Sequence, residues 1–320
     1  MKKLNKKILI TGGAGYIGQN LINFFLKKKY KIYVIDNLST SVPLNSNIKK
    51  NVSFYKIDLG IENKAKLFFK KKNFDLIIHL AALSGVQEFN KNVLKSFNNN
   101  VLATKNLVQF AFQKKNTKLI FASSAAVYGK VSRNKISEKN NCQPVNYYGL
   151  SKLACENIIN YTLQKNKNNY AILRYFNVVG STVDFKIKKK IYSLMDIISN
   201  NIKKKKYKIN INGKNFNTKD GTPERDFIHI SDLCRVHKKA YEYLRKNKKI
   251  VLNCGSEKRY SVLSVVKAFD KKIKHKFRIS YKIKNQDETQ TICANISLLK
   301  SVLGTNIKKT KINDLIKDYL

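Results

Sequence analysis

The stretch Ile8 to Gly18, ILITGGAGYIG, decides the reading of this chain. Ile8 to Ile10 is a short apolar run of the kind that forms a buried strand. Gly12, Gly15 and Gly18 follow at intervals of three, and an amphipathic pattern then runs from Tyr16 to Lys28. A strand, a glycine-rich turn and a helix in that order let backbone approach a pyrophosphate closely, with the helix N-terminus facing its charge. Asp36 ends the next β-rich run, 18 residues after Gly18. A carboxylate there can accept hydrogen bonds from ribose hydroxyls and repel a 2′-phosphate, which favours NAD over NADP.

Outward from this unit the first half keeps alternating. Lys31 to Ile35, Val52 to Ile57, Leu76 to Leu80, Leu119 to Ser123 and Tyr170 to Tyr175 read as further strands, with helical patterns such as Asn100 to Lys114 between them. Apolar strands separated by helices predict a parallel sheet covered on both faces, and right-handed crossovers make it doubly wound. After Asn177 the regularity weakens. A helix near Ile191 to Asn201, a turn around Gly213, a strand at Phe227 to Ile230 and a helix over Asp232 to Lys246 are expected there, and Ser261 is a candidate N-cap for a helix through Lys272. The fold class is therefore α/β: a Rossmann-type doubly wound parallel sheet with a smaller C-terminal α/β domain. Residues 1–176, with a returning segment near 225–248, would bind the dinucleotide, and 177–320 would mainly bind substrate.

Composition bounds the remaining options. A chain of 320 residues, 43% of them hydrophobic, can bury a large core, whereas its apolar runs are too short to span a bilayer. The five cysteines are scattered and odd in number, which argues for a reducing compartment and against a zinc site, so no metal is expected and the chain reads as cytoplasmic. The net charge of +44 invites a nucleic-acid role, but only 7 of the 64 basic residues are Arg and the Lys are spread over nearly every segment. Readers of phosphate and base edges favour Arg and concentrate charge on one face, so neither nucleic acid nor membrane is expected as a partner. His79, His229, His237 and His275 show no ligand spacing and read as structural.

Tyr148 and Lys152 lie four apart and share a helix face. A phenol, whose reference pKa is near ~10, needs help to lose its proton near neutrality, and an adjacent ammonium favours the phenolate. With 17 Tyr and 57 Lys in 320 residues, chance alone gives about three such pairs; Tyr161 and Lys165 form another. Position separates the two pairs. Ser123 and Ser124 end the fifth expected strand, at the carboxyl edge where open α/β sheets hold ligands, and Tyr148 follows Ser124 by 24 residues, enough for a loop and the start of a return helix.

These segments, taken in order, resemble the extended short-chain dehydrogenases, and most closely the UDP-glucose 4-epimerases among them. TGGAGYIG, DNLST (Asp36 to Thr40), HLAA (His79 to Ala82), SSAAVYG (Ser123 to Gly129), YGLSK (Tyr148 to Lys152), RYFNVVG (Arg174 to Gly180) and RDFIHISDL (Arg225 to Leu233) carry the likeness. The resemblance implies Ser124, Tyr148 and Lys152 as the catalytic set. It places Gly12, Gly15, Tyr16, Ile17, Gly18, Asp36, Asn37, Asp58, Leu59, Leu80, Ala81, Ala82, Asn99, Asn100 and Phe176 beside NAD, together with Tyr148 and Lys152. It assigns the nucleotide sugar to Ser124, Tyr148, Asn177, Arg225, Lys284 and Asp287.

The implied activity is NAD-dependent 4-epimerisation of a UDP-hexose through a transient 4-keto sugar, by a homodimer that holds its cofactor tightly. Sugar-nucleotide 4,6-dehydratases resemble this family but carry an Asp-Glu pair after the corresponding hydroxyl residue. Here Ala125 and Ala126 stand in those places, leaving elimination without an evident acid and base. Three departures touch the sugar pocket. The family's Arg-x-Gly-Asp is Lys284-Asn285-Gln286-Asp287, an expected Asn near Leu194 is Ser193, and Ser181 to Lys190 is short and basic. A UDP-glucuronate 4-epimerase or decarboxylase, an NAD-binding regulator and a polyanion-binding protein are the rival readings. For Arg225, a structural pair with Glu224 or Asp226 is the bland alternative.

Overall fold

The computed structural model describes residues 6–41, 43–83, 92–113, 116–131, 135–182, 193–283, 289–304 and 306–320. Its centre is β1 (Lys7–Thr11), flanked on one side by β2 (Lys31–Asp36) and β3 (Val52–Lys56). On the other side lie β4 (Leu76–His79), β5 (Lys118–Ser124), β6 (Tyr170–Tyr175) and β10 (Lys249–Cys254). Every pairing in this seven-stranded sheet is parallel. The strands alternate their burial between two faces, as the two-residue period of a strand requires. Ile8, Ile10, Leu76, Ile78 and Ile120 pack on one side with Leu21, Ile22 and Phe25 of α1 (Tyr16–Leu26) and with Leu233, Val236 and Leu244 of α7 (Ile230–Leu244). Leu9, Ile77, Leu119 and Phe121 pack on the other with α3 (Glu62–Lys70), α4 (Val93–Ala111) and α5 (Tyr147–Lys165). Two covered faces explain why β4 and β6 are buried at every residue. A short helix α2 (Ser46–Lys49) precedes β3.

The second half is built on β9 (Glu224–His229), which pairs in parallel with β7 (Asn177–Val179) and β13 (Thr291–Ile292) and antiparallel with β11 (Arg259–Ser261). β8 (Lys208–Asn212) and β12 (Arg278–Lys282) form a separate parallel pair. A third core joins them to α6 (Leu194–Lys203), α8 (Val262–Ile273) and α10 (Ile312–Ile316) through Met195, Ile198, Val265, Phe269, Leu315 and Ile316; α9 (Ser297–Leu303) packs on the first core. Ser261 caps α8 as expected, its hydroxyl accepting from Ser264 N at 3.0 Å. Ser193 caps α6 in a reciprocal capping box with Asp196, so the residue that departs from the family pattern holds a helix end here.

Two of the differences from expectation bear on the central sheet and its cover. α4 begins at Val93, not Asn100, because Asn92 caps it and the polar run Ser96 to Asn100 hides its periodicity. β10 is absent from the sequence reading, where its short apolar run Ile250 to Leu252 follows a Lys-rich stretch, yet it completes the sheet beside β6.

Candidate active site

β1 sits where the strand order reverses, and its glycine-rich turn meets the end of β4. Gly12 takes a φ of 67°, and a Cβ there would stand 2.7 Å from Ala81 N. Gly18 lets α1 close onto the turn, since a Cβ would meet Gly12 O at 2.6 Å. At Gly15 a Cβ would meet only Gly12 O, at 3.2 Å, so the outer side of the turn has room. Gly15 precedes α1 without any side-chain cap, and the first turn, Tyr16, Ile17 and Gly18, carries no acidic residue. Such an end suits an anion. Ala81 N leans on Thr11 Oγ1 at 3.3 Å and Leu80 N on Thr11 O at 3.1 Å. Beneath them Thr11 Oγ1 lies 2.7 Å from His79 Nδ1, and Thr104 Oγ1 lies 3.1 Å from its Nε2. Burial pushes that imidazole down to about 3, so it is a neutral strut for the turn, as its structural reading predicts.

At the end of β2 the Asp36 carboxylate accepts from Ala14 N at 3.0 Å, Leu38 N at 2.8 Å and Ser41 Oγ at 2.8 Å. Asn37 Nδ2 donates to Asp58 Oδ2 at 3.0 Å, and Gly60 N to Asp58 Oδ1 at 2.8 Å. These contacts gather Asp36, Asn37 and Asp58 at one edge, as a ribose and adenine site would need. With the uncapped helix end and the glycine cradle, the residues present fit NAD. Other expected cofactor residues are placed differently. Leu59 is buried in the core of that face, Phe176 is buried and Asn99 is exposed, while Ala82 is part-exposed on the segment after β4. Asn100 is buried, its amide bonded to Leu83 N and O and to Ser151 Oγ, which ties that segment to α5. The Tyr16 hydroxyl donates to Gly180 O at 2.6 Å and so links the turn to the second half.

Ser124, Tyr148 and Lys152 come together at the carboxyl end of β5. Ser124 caps a 3-10 turn (Ala125–Tyr128) by accepting from Ala126 N at 3.2 Å, and its side chain hydrogen-bonds the Tyr148 phenol. Asn146 caps α5, accepting from Gly149 N at 2.8 Å, which sets Tyr148 in the first turn. Lys152 Nζ donates to Ala122 O at 2.8 Å and lies 4.9 Å from the centre of the Phe121 ring. Burial pushes Lys152 down to about 8. One expectation is corrected here. Burial pushes the Tyr148 phenol up to about 12, against the Ser124 hydrogen bond that lowers it, and the Lys152 ammonium donates to the Ala122 carbonyl. The pair by itself does not prepare a base.

Gly149, within YGLSK, is a residue that sequence reasoning missed. It is a glycine within the first turn of a helix, a signal that some close approach is needed; a Cβ there would stand 2.4 Å from Ala126 O.

Asn177 Nδ2 donates to Asp226 O at 3.1 Å. The Asp226 carboxylate accepts from Ser256 N and Oγ, Glu257 N and Ala294 N, all backbone or hydroxyl donors. Arg225 Nη1 donates to the carbonyls of Glu224 and Thr289, each at 2.9 Å. Lys284 and Asp287 lie outside the described residues, as does most of Ser181 to Lys190.

The sequence profile of the NAD dependent epimerase/dehydratase family matches residues 8–255. The chain is 34% identical to a UDP-glucose 4-epimerase of Dictyostelium discoideum over 295 residues, 88% of this chain and 85% of that protein. A UDP-glucose 4-epimerase from Bifidobacterium longum, solved with NAD+ and UDP, superposes with a TM-score of 0.90 at 28% identity, covering 98% of this chain and 97% of that one. The UDP-Glc/GlcNAc 4-epimerase of Campylobacter jejuni superposes with a TM-score of 0.83 at 32% identity, covering 98% of both chains.

Proposed function

The chain belongs to the NAD dependent epimerase/dehydratase family, and from that premise we propose that it is an NAD-dependent enzyme that epimerises a UDP-hexose at C4, exchanging UDP-glucose and UDP-galactose. The observation that carries this reading is the Ser124 side chain hydrogen-bonded to the Tyr148 phenol, at the end of β5 with only β4 between it and the strand that leads into a dinucleotide-type glycine turn. Ala125 and Ala126, which follow Ser124, offer no carboxyl pair for losing water, so reversible oxidation is the chemistry these groups suit.

Bound NAD supplies a two-electron acceptor and a positive ring that favours the phenolate. Within that setting Tyr148 takes the proton of the sugar 4-hydroxyl and later returns it, and Ser124 hydrogen-bonds the same oxygen while its charge changes. Lys152, held on Ala122 O, supplies positive charge beside the cofactor ribose while it keeps its proton. Asn177 and Arg225 hold the nucleotide part, and Arg225 is steadied by the carbonyls behind it. Lys284 and Asp287 complete that end. A lysine there gives a point charge in place of a fork.

The enzyme works as a homodimer in the cytoplasm and serves galactose metabolism. Exposed apolar residues support the dimer: Tyr147, Leu150 and Tyr161 on α5, with Tyr161 81% exposed, and Leu94 and Leu102 on the neighbouring α4. The five free cysteines fit a reducing compartment. The test is to mix the purified protein with UDP-glucose, UDP-N-acetylglucosamine and UDP-glucuronate and follow the sugars by proton NMR. UDP-galactose should appear from UDP-glucose with no added reductant. Loss of water or carbon dioxide, or no change in any of the three sugars, sinks the reading.

A further inference from the structure

The last three residues of β5 each hold one residue of α5. Ala122 O accepts from Lys152 Nζ at 2.8 Å, Ser124 hydrogen-bonds Tyr148, and Ser123 Oγ donates to the Glu156 carboxylate. Tyr148, Lys152 and Glu156 are spaced by four and lie on one helix face. Two of these pairings belong to the reacting groups; the third does not. Glu156 is 2% exposed, and Arg174 grips it with two parallel bonds, Nε to Oε1 at 3.0 Å and Nη2 to Oε2 at 2.7 Å. Arg174 also donates Nη1 to the Tyr128 hydroxyl at 2.9 Å, which in turn donates to Asn253 Oδ1 at 2.8 Å. Helix α5, strands β5, β6 and β10 and the 3-10 turn are thus joined through one carboxylate.

A buried ion pair is a poor device for stability alone, because well-packed apolar residues do as well. A forked pair between guanidinium and carboxylate does fix direction and depth, which apolar packing leaves looser. We propose that Glu156 is a positioning residue: clamped by Arg174 and Ser123, it sets the rotation and depth of α5 on the end of β5 and so places Tyr148 and Lys152. The Glu156 charge also favours the ammonium form of Lys152, against the burial that disfavours it. The proposal deepens the epimerase reading and rests on it for the kinetic arm of its test.

That test uses Glu156→Gln and the milder Ser123→Ala in the NAD-loaded enzyme, assayed well below each variant's melting temperature. In E156Q, kcat for UDP-glucose should fall about 10- to 100-fold, as expected for ångström-scale misplacement, with KM within about twofold because Asn177 and Arg225 lie outside the network. S123A should fall several-fold less. A crystal structure of E156Q should show the Lys152 Nζ to Ala122 O contact opened and Tyr148 displaced from Ser124. Wild-type kcat in a folded variant, or Tyr148 and Lys152 left in place, overturns the proposal; should E156Q not fold, S123A decides on the same readouts. If the wild-type protein converts no nucleotide sugar, the epimerase reading fails, and the displacement seen in the variant structures still decides the role of Glu156.

Discussion

Gly149 stands so close to Ala126 that no side chain fits between them: a Cβ on Gly149 would be 2.4 Å from the Ala126 carbonyl oxygen and 3.0 Å from Pro144 Cβ. The first turn of α5 therefore rests directly on the 3-10 turn that Ser124 caps. Gly149→Ala should push the helix start off that turn and carry Tyr148 away from Ser124. Overpacking of this kind costs about 1–3 kcal/mol of stability, and a shift of about 1 Å at the phenol costs about 10²-fold in turnover. Thermal unfolding and initial rates check both. A fully active G149A enzyme would mean that the contact does not position the phenol.

That contact also marks what could be read from sequence. The glycine spacing and the alternation of strand and helix carry the Rossmann sheet, because the two-residue period of a twice-buried strand leaves an unbroken apolar run. Asp36, Asn37 and Asp58 are legible as a cluster because each stands at or after the end of a strand. β10 is not, since its apolar run is only three residues long, Ile250 to Leu252, and its Lys-rich entry reads as a loop. Nor is Glu156, which reads as one more charge on a helix and whose role depends on an arginine from a strand. The phenol's electrostatics are hidden for a similar reason: spacing puts Lys152 on the same helix face as Tyr148 but does not say that a carbonyl of β5 accepts from its ammonium.

Tyr148→Phe should abolish most turnover, by about 10²- to 10⁴-fold, the usual share of a general base. It should leave NAD bound, since the glycine turn and Asp36 lie elsewhere. Rates on UDP-glucose and the nicotinamide content of the purified protein measure the two effects. Undiminished turnover would remove Tyr148 from the chemistry.

Lys152 gives the alkaline side of the pH profile. Burial lowers its pKa to about 8, so its positive charge is present below that value and lost as pH rises through it. If that charge supports the reaction, kcat/KM should decline above about pH 8. Lys152→Met should show low activity without that decline. A profile that climbs steadily through pH 9 in the wild type would show that the ammonium is not needed.

Two buried histidines make stability depend on acid. Burial pushes His79 down to about 3 and His237 down to about 4, while an unfolded histidine titrates near ~6.5. Between those values the unfolded chain binds protons that the folded chain does not. The stabilisation is complete above about pH 6.5 and is lost as pH falls, by about 1.4 kcal/mol per pH unit for each ring. Melting temperatures should therefore drop steadily from pH 7 to pH 4.5, and His237→Gln should lessen the slope if the fold accepts it. A melting temperature constant over this range would show that neither ring resists protonation in place.

Cofactor choice follows from how Asp36 is held. Its carboxylate is fixed by the amides of Ala14 and Leu38 and by the Ser41 hydroxyl, and it is 7% exposed, so it cannot swing aside for a second anion. A 2′-phosphate beside it would set like charges together, which costs several kcal/mol at a desolvated contact. The wild-type protein should bind NAD at least about 10²-fold more tightly than NADP. Asp36→Asn removes the charge and keeps an acceptor for only one of the two amides, since Ala14 N and Leu38 N bond different carboxylate oxygens, so NADP binding should improve while NAD binding weakens by about 1–2 kcal/mol through the lost charge-assisted bonds. Calorimetric titration of the cofactor-free protein with each dinucleotide gives both numbers. Equal affinities in the wild type would show that Asp36 holds the glycine turn together and takes no part in selecting the ribose.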